Sequence, residues 1–282
     1  MNSDPLTKAI TEAEKNLVRA APHIENDNDL AEGLQYLAGG IAACTHHAFF
    51  YSSTDHPVLL TGTGPFTKMG LDNPPDTLYF GTRMQAGFEY VVNGIRGGTT
   101  TDLSFQYLAG EYTDDTVPES EVAFDDRELN IATNGHFEWR FVPQRPGQLV
   151  IREVFGDWSQ RRGALAVHRT DTVGSAPPPA LTPELIERQF RSAAEQLVNR
   201  VKTWLQFPQW FYLNLPVNTA VAPRSTPPGG LTTQYSSAGH FDLDADQALV
   251  ITIPTSDAPP TWASNWATCG TPRWTTSTIR RR

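Results

Sequence analysis

Cysteine is nearly absent. The 282 residues hold two, Cys44 and Cys269, so no disulfide framework holds the fold, and a reducing, cytoplasmic setting is expected. No apolar run approaches the roughly 18 residues of a membrane span, so no membrane partner is expected. The start, Met1-Asn2-Ser3-Asp4-Pro5, has neither the basic nor the apolar region of a signal peptide. Positive charge is also scarce: 22 Lys and Arg stand against 31 Asp and Glu, a net charge of −9. A nucleic-acid partner needs a basic face, and none is expected here.

The common catalytic signatures are missing as well. There is no HExxH, no CxxC and no GxSxG elbow. His136-Phe137-Glu138 has the H-x-E spacing of zinc deaminases, but the accompanying P-C-x-x-C is not present. Gly94-Ile95-Arg96-Gly97-Gly98 falls between strand-like segments, which makes it a hairpin turn and not a phosphate loop. His46, His47 and His56 lie close together, and His240 could join them. Neighbouring helical side chains diverge by about 100°, so the pair rarely shares one ion. Surface or capping histidines are the plainer reading, and neither a metal nor any other cofactor is expected. Cys44, among alanines on a helix, reads as a buried structural thiol.

What the chain does have is a procession of short strand-like segments between residues 72 and 169. Leu78–Met84, Phe88–Ile95, Thr100–Ala109, Glu128–Ala132, His136–Val142, Gln148–Phe155 and Ala164–Arg169 are rich in aromatic and β-branched residues, with glycine-containing breaks between them. Several alternate as half-buried strands do. Leu103, Phe105 and Tyr107 oppose Asp102, Ser104 and Gln106, and Phe137, Trp139 and Phe141 oppose His136, Glu138 and Arg140. The acidic stretch Glu111–Asp126 shows no period and is expected to be a surface loop. This spacing predicts an antiparallel β-sandwich.

Helices flank it. Ser3 or Asp4 can cap a first helix with Leu6, Ile10, Ala13 and Leu17 on one stripe. Leu30, Leu34, Leu37 and Ile41 mark a second, where Gly39-Gly40 invites close approach of another backbone. Thr182 caps and Pro183 opens a long helix to about residue 206, whose apolar stripe is expected to lie across a sheet. Ala248–Ile253 reads as a strand. The expected organisation is α+β: a helical segment over 1–60, a sandwich over 61–173, and a linker, long helix and further strand over 174–258. The 39% hydrophobic content suffices for a sizeable core.

Four stretches resemble a bacterial family catalogued as domain of unknown function 1214. They are Leu30–Leu37, Lys68–Tyr79, Arg152–Trp158 and Tyr235–Ile253, and the resemblance covers nearly all of residues 5–258. It implies a jelly-roll-like sandwich with a helical N-terminal part and implies no particular activity. It stops at Ala258. There the family continues into a segment resembling GFQLGNxWxxSLDYxNxQTSL. Reading the codons of this tail one base out of frame forces Gly at Trp262-Ala263, Leu at Asn265-Trp266, Gly at Trp266-Ala267 and Asp at Trp274-Thr275, in register with that segment. Residues 260–282 are therefore expected to be a frameshifted, poorly packed tail. Its four arginines and lack of acids would put residues 1–258 at −9 − 4 = −13.

The most suggestive polar constellation is Asn73, Asp76 and Tyr79 with Arg152, Asp157, Trp158 and Arg161. Asn73 and Asp76 flank prolines in a turn, and Asp157-Trp158 closes a strand where sandwich loops gather. The structural alternative is that the acids close turns and Arg152 pairs with a neighbouring carboxylate. The functional expectation is a rim around a pocket between helices and sandwich, holding or converting a small-molecule ligand. A non-catalytic interaction module and a truncated, non-functional product are the alternatives. The oligomeric state is left open.

Overall fold

The computed structural model describes residues 3–22, 24–50, 53–61, 77–96, 98, 100–111, 113, 116–157, 159–175, 180–211, 213–225, 230, 232–244, 246–250 and 252, with the side chains of 207–211 left out. It also describes the backbone of 264–266 and 275–277. The chain is α+β with antiparallel sheets. Helix α1 (Asp4–Glu12) runs into a π-helical stretch (Ala13–Val18), followed by α2 (Asp27–Phe50). Asn26 caps α2, its side-chain oxygen accepting from the backbone N–H of Asn28 at 2.9 Å and of Asp29 at 3.1 Å.

Then come β1 (Leu60–Thr61), β2 (Thr77–Met84), β3 (Tyr90–Ile95), β4 (Asp102–Ala109), β5 (Glu119–Asp125), β6 (His136–Phe141), β7 (Gly147–Val154) and β8 (Ala164–Arg169). Helix α3 (Pro183–Phe211) starts as expected, with Leu185 N–H donating to Thr182 Oγ1 at 3.2 Å. Beyond it lie four two-residue strands, β9 (Thr219–Ala220), β10 (Arg224–Ser225), β11 (Tyr235–Ser236) and β12 (Gly239–His240). Within the tail, β13 (Ser264–Trp266) pairs antiparallel with β14 (Thr275–Ser277); the rest of 260–282 lies outside the described residues.

The large sheet has five strands in the order β1-β2-β7-β4-β5, the small one three in the order β6-β3-β8. Their facing sides make the main core. Phe80, Ile151, Phe105 and Phe124 form one row across the large sheet. From the small sheet, Tyr90, Val92 and Phe137 meet it. Phe105 is completely buried, stacks on Phe124 at 5.0 Å and meets Phe137 and Trp139 edge-on.

A second core joins α1, the π-helix, α2 and α3 through Ala9, Ala13, Val18, Leu37, Leu197 and Val201. Helix α3 thus lies on the other helices, where the sequence led us to expect it across a sheet. Its stripe has matching apolar helical faces to cover. Of the Gly39-Gly40 pair, only Gly40 is reported on by its surroundings. A Cβ on Gly40 would meet a side chain, Leu197, at an ordinary 3.5 Å, whereas at Gly33 it would sit 2.7 Å from Val18 Cγ1. The approach at Gly33 is thus tighter than that at Gly40.

Three strand assignments also change. Glu111–Asp126 contains β5, because Val122 and Phe124 turn into the core while the exposed Glu119 and half-buried Glu121, beside a register shift, disguise the alternation. Glu128–Ala132 is no strand. Asp125 there caps a short 3-10 turn, accepting from Arg127 N–H at 2.9 Å. Residues 248–250 and 252 form no strand, and Val250 stays 83% exposed. Phe105→Ala should lower unfolding free energy by about 3–5 kcal/mol, measured by urea denaturation; a loss under about 1 kcal/mol would contradict this core.

Candidate functional site

In a strand, successive side chains point to opposite faces. With Phe105 and Ile151 in the core, the other face of the large sheet carries Tyr79, Arg152, Ser104 and Asp125 in one row. Gly81, Val150, Gln106 and Ala123 make the next row, and Thr77, Val154 and Asp102 end the face. The sequence pattern predicted that Asp102, Ser104 and Gln106 lie opposite the core, and they do. They are not left to solvent, however: Ser104, Gln106 and Arg152 are all buried.

The cover comes from far along the chain. Strands β9 and β12, then β10 and β11, pair into an exposed ribbon. Asn218, with φ of 61°, closes its base, its side chain bonding the backbone of Asp242 in both directions at 3.2 Å. The far end of the ribbon reaches the sheet. Gln106 Nε2 donates to the Gly230 carbonyl at 2.9 Å, and Thr232 N–H donates back to Gln106 Oε1 at 3.1 Å. Arg152 Nη1 donates to the side-chain oxygen of Gln234. Each of the two neutral bonds contributes about 0.5–1.5 kcal/mol net, and the bond from the charged Arg152 about 1.5–3 kcal/mol.

Arg152 is the unusual member. Its side chain is 10% exposed, and Nη2 stands 3.9 Å from Asp102 Oδ2, beyond hydrogen-bond reach. Its Nε is buried with no hydrogen-bond partner among the described residues. A buried charged donor left unmade costs more than the ~1–3 kcal/mol of a neutral one, and such a cost calls for an explanation. Burial pushes the Asp102 carboxyl up from its ordinary value. Arg152 pulls it back in part, while Asp126 and Asp125 push it further up.

Of the sequence-predicted residues, Tyr79 and Arg152 are directly opposed on β2 and β7. Asp157 is exposed and closes the turn after β7, accepting from Ser159 N–H at 2.7 Å, which is the structural alternative. Arg161 is exposed in the following loop. Asn73, Asp76 and Trp158 lie outside the described residues. The sequence reading missed Asp102, Gln106 and Gln234. Gln106 and Thr232 are 126 positions apart, and the polar side of β4 looked like an ordinary solvent face.

A neighbouring polar network is complete and structural. Glu153, 2% exposed, accepts from Thr100 Oγ1 and Gly163 N–H, each at 3.0 Å. Arg96 bonds Asp126 at 2.6 Å, Thr100 Oγ1 at 2.6 Å and the Thr100 carbonyl at 2.7 Å. A Cβ on Gly98 would stand 2.2 Å from the Arg161 carbonyl, so only glycine lets these loops close.

Elsewhere, His47 is buried on α2 and its imidazole is held well below the usual range by burial, then by Arg200, Arg83 and His46. Burial pushes the Cys44 thiol up. Among the described residues, no group of three or more His, Cys, Asp or Glu is placed to hold a metal ion. No helix among them is long and apolar enough to cross a membrane. An open groove of about 600 Å³ follows the small sheet, lined by Asn93, Ile95, His136, Glu138, Ala164 and Ala166 among others. None of the predicted site residues lines it.

No family model matches the chain, and no curated protein does. The fold is similar to the crystal structure of an uncharacterised protein from Burkholderia cenocepacia, with a TM-score of 0.66 and 22% identity over 78% of this chain. The match spans 62% of that protein's length. A likeness at this identity speaks for the fold alone. A protein from Vibrio parahaemolyticus aligns at 13% identity over 58% of this chain and 46% of its own, with a TM-score of 0.26, too low to carry weight.

The raised Asp102 carboxyl has a pH consequence. A carboxyl whose folded value is raised stabilises the fold below the ordinary value of 3.8, and that contribution is lost as pH rises through the folded value. Asp102→Asn, neutral throughout, should therefore gain stability relative to the parent between acid pH and neutrality, read by urea unfolding across pH. A flat difference, or one of opposite slope, would show that Arg152 outweighs burial.

Proposed function

We propose that the protein binds a small organic molecule on the outer face of the large sheet, with Arg152 as the anchor, and converts it or carries it. One observation carries the reading: a buried guanidinium whose Nε is unpaired among the described residues, beside a carboxyl that burial favours in its neutral form. Unsatisfied charge and a displaced carboxyl together favour a ligand site over a purely structural pair. Asp102 would be the acid or base of any proton transfer, and Tyr79 and Gln106 would fix the ligand's orientation. The reading takes the sheet face in preference to the helix–sandwich junction because the unpaired donor is there. Asp76 adjoins Thr77, which pairs with Val154, and so Asp76 and Asn73 remain in the proposed set.

The same proposal places the chain in the family of domain of unknown function 1214, supported by the four stretches it resembles, and in the cytoplasm, supported by the scarcity of cysteine. The net charge of −9 supports a partner other than nucleic acid. A second reading, a non-catalytic interaction module, is favoured by the open, largely apolar groove on the small sheet.

The test is a thermal-shift screen of a metabolite library against the parent, Arg152→Lys and Arg152→Met. A ligand of this site should raise the parent's Tm by several degrees and leave both variants unmoved. A library that shifts parent and variants alike, or shifts none of them, would contradict the reading.

A further inference from the structure

We infer that strand β8 pairs edge to edge with β8 of a second copy of this chain, joining two three-stranded sheets into one of six strands. This surface is on the small sheet and is independent of the Arg152 site. Thr170 N–H donates to the Glu89 carbonyl at 3.0 Å, so these two residues are a directly bonded pair of the antiparallel ladder. Bonded pairs recur at every second residue, which joins His168 to Val91, Ala166 to Asn93 and Ala164 to Ile95. The peptide groups of Leu165 and Val167 therefore point away from β3. Among the described residues no strand lies beyond β8, and these groups make no hydrogen bond. Such an edge is a template for a further strand.

The other edges of the two main sheets carry the usual protections. Strand β1 is two residues long, and β5 has a register shift and the exposed Glu119. Strand β6 presents the exposed Glu138 and Arg140, and its His136 carbonyl accepts from Ala132 N–H at 2.8 Å. Strand β8 has no charge, proline or bulge over residues 164–167. Ala164 and Ala166 are exposed, and Leu165 and Val167 are only half-buried against the main core.

A second β8 complements this edge. A two-fold axis at Ala166 sets Leu165 of each copy opposite Val167 of the other, the pairing that the outward peptide groups require, and gives four hydrogen bonds. On the core side, the row Phe137, Gly94, Leu165 then continues into Val167, Val92 and Trp139 of the other copy, with no charge along it. On the outer side, Ala166 meets Ala166, and the two Glu138 carboxylates stand five strand spacings apart. That is roughly 24 Å, beyond the screening length of about 8 Å, so no like charges oppose the pairing despite the net charge of −9.

The experiment is sedimentation velocity of the full chain across a wide range of concentration. The parent should pass from the mass of one chain to that of two. Ala166→Lys and Ala166→Glu, each setting like charges opposite each other at the axis, should weaken self-association at least threefold, and an equal mixture of the two should recover it. Val167→Pro removes an N–H that has no partner within one chain and two of the four bonds between copies, and should weaken it at least tenfold. The circular dichroism of the Ala166 variants should match the parent's. Hydrogen exchange reads the edge by residue: the Leu165 and Val167 N–H groups should slow as parent concentration rises, while that of Ala166, already bonded to Asn93, should not change. A parent of one-chain mass at every concentration would overturn the proposal. So would folded Ala166 variants that associate as the parent does, or a mixture of them that fails to recover a dimer the parent forms.

Discussion

The alternation of strand β7 governs this molecule. Ile151 must face the core, where it makes the central row with Phe80 and Phe105. Arg152 is thereby forced onto the opposite face, with no freedom to turn inward. A register slip of one residue would exchange the two and put a guanidinium among phenylalanines. The register is held from both sides, by β2 and by β4, and this gives Arg152 a fixed direction. The outer face is then closed by chain from the other end of the protein. The guanidinium loses water without gaining a full set of partners among the described residues.

The second consequence of that register is a division of labour among buried charges. Glu153, one residue further along β7, falls on the core side and is fully occupied by Thr100 and Gly163, with Arg162 at 3.6 Å. Asp125 is taken by Arg127 through side chain and backbone. Arg169 is held by Asp55 at 2.5 Å and Asp171 at 2.7 Å, and lies over Phe88 at 4.1 Å. These are closed pairs with structural work. Arg152 and Asp102 differ in standing too far apart for a hydrogen bond while both are shielded from solvent.

Local signals in the sequence were reliable where the responsible residues are neighbours. Thr182 and Pro183 announced α3, and the alternation of Leu103, Phe105 and Tyr107 announced the core face of β4. The acidic residues of β5 hid Val122 and Phe124 because they interrupt the apolar pattern of a strand whose register shifts within it. The partner of α3 was illegible because an amphipathic stripe says that it is covered, not by what. Arg152 and Tyr79 were visible as polar residues on strand-like segments. The burial of Gln106 and the part played by Gln234 were not, because they depend on chain 124 and 82 positions distant. Asp157 was read as a rim residue and closes a turn, as aspartates after strands often do.

The account turns on a desolvated Arg152 guanidinium, and its Nε–H reports this directly. In a 15N-correlated NMR spectrum of the arginine side chains, assigned by the loss of one signal in Arg152→Lys, the Arg152 Nε–H should persist at neutral pH and exchange far more slowly with water than that of the exposed Arg140. An Arg152 Nε–H that exchanges as fast as Arg140's would mean that water reaches the guanidinium freely, and the outer face would then be an ordinary wet surface.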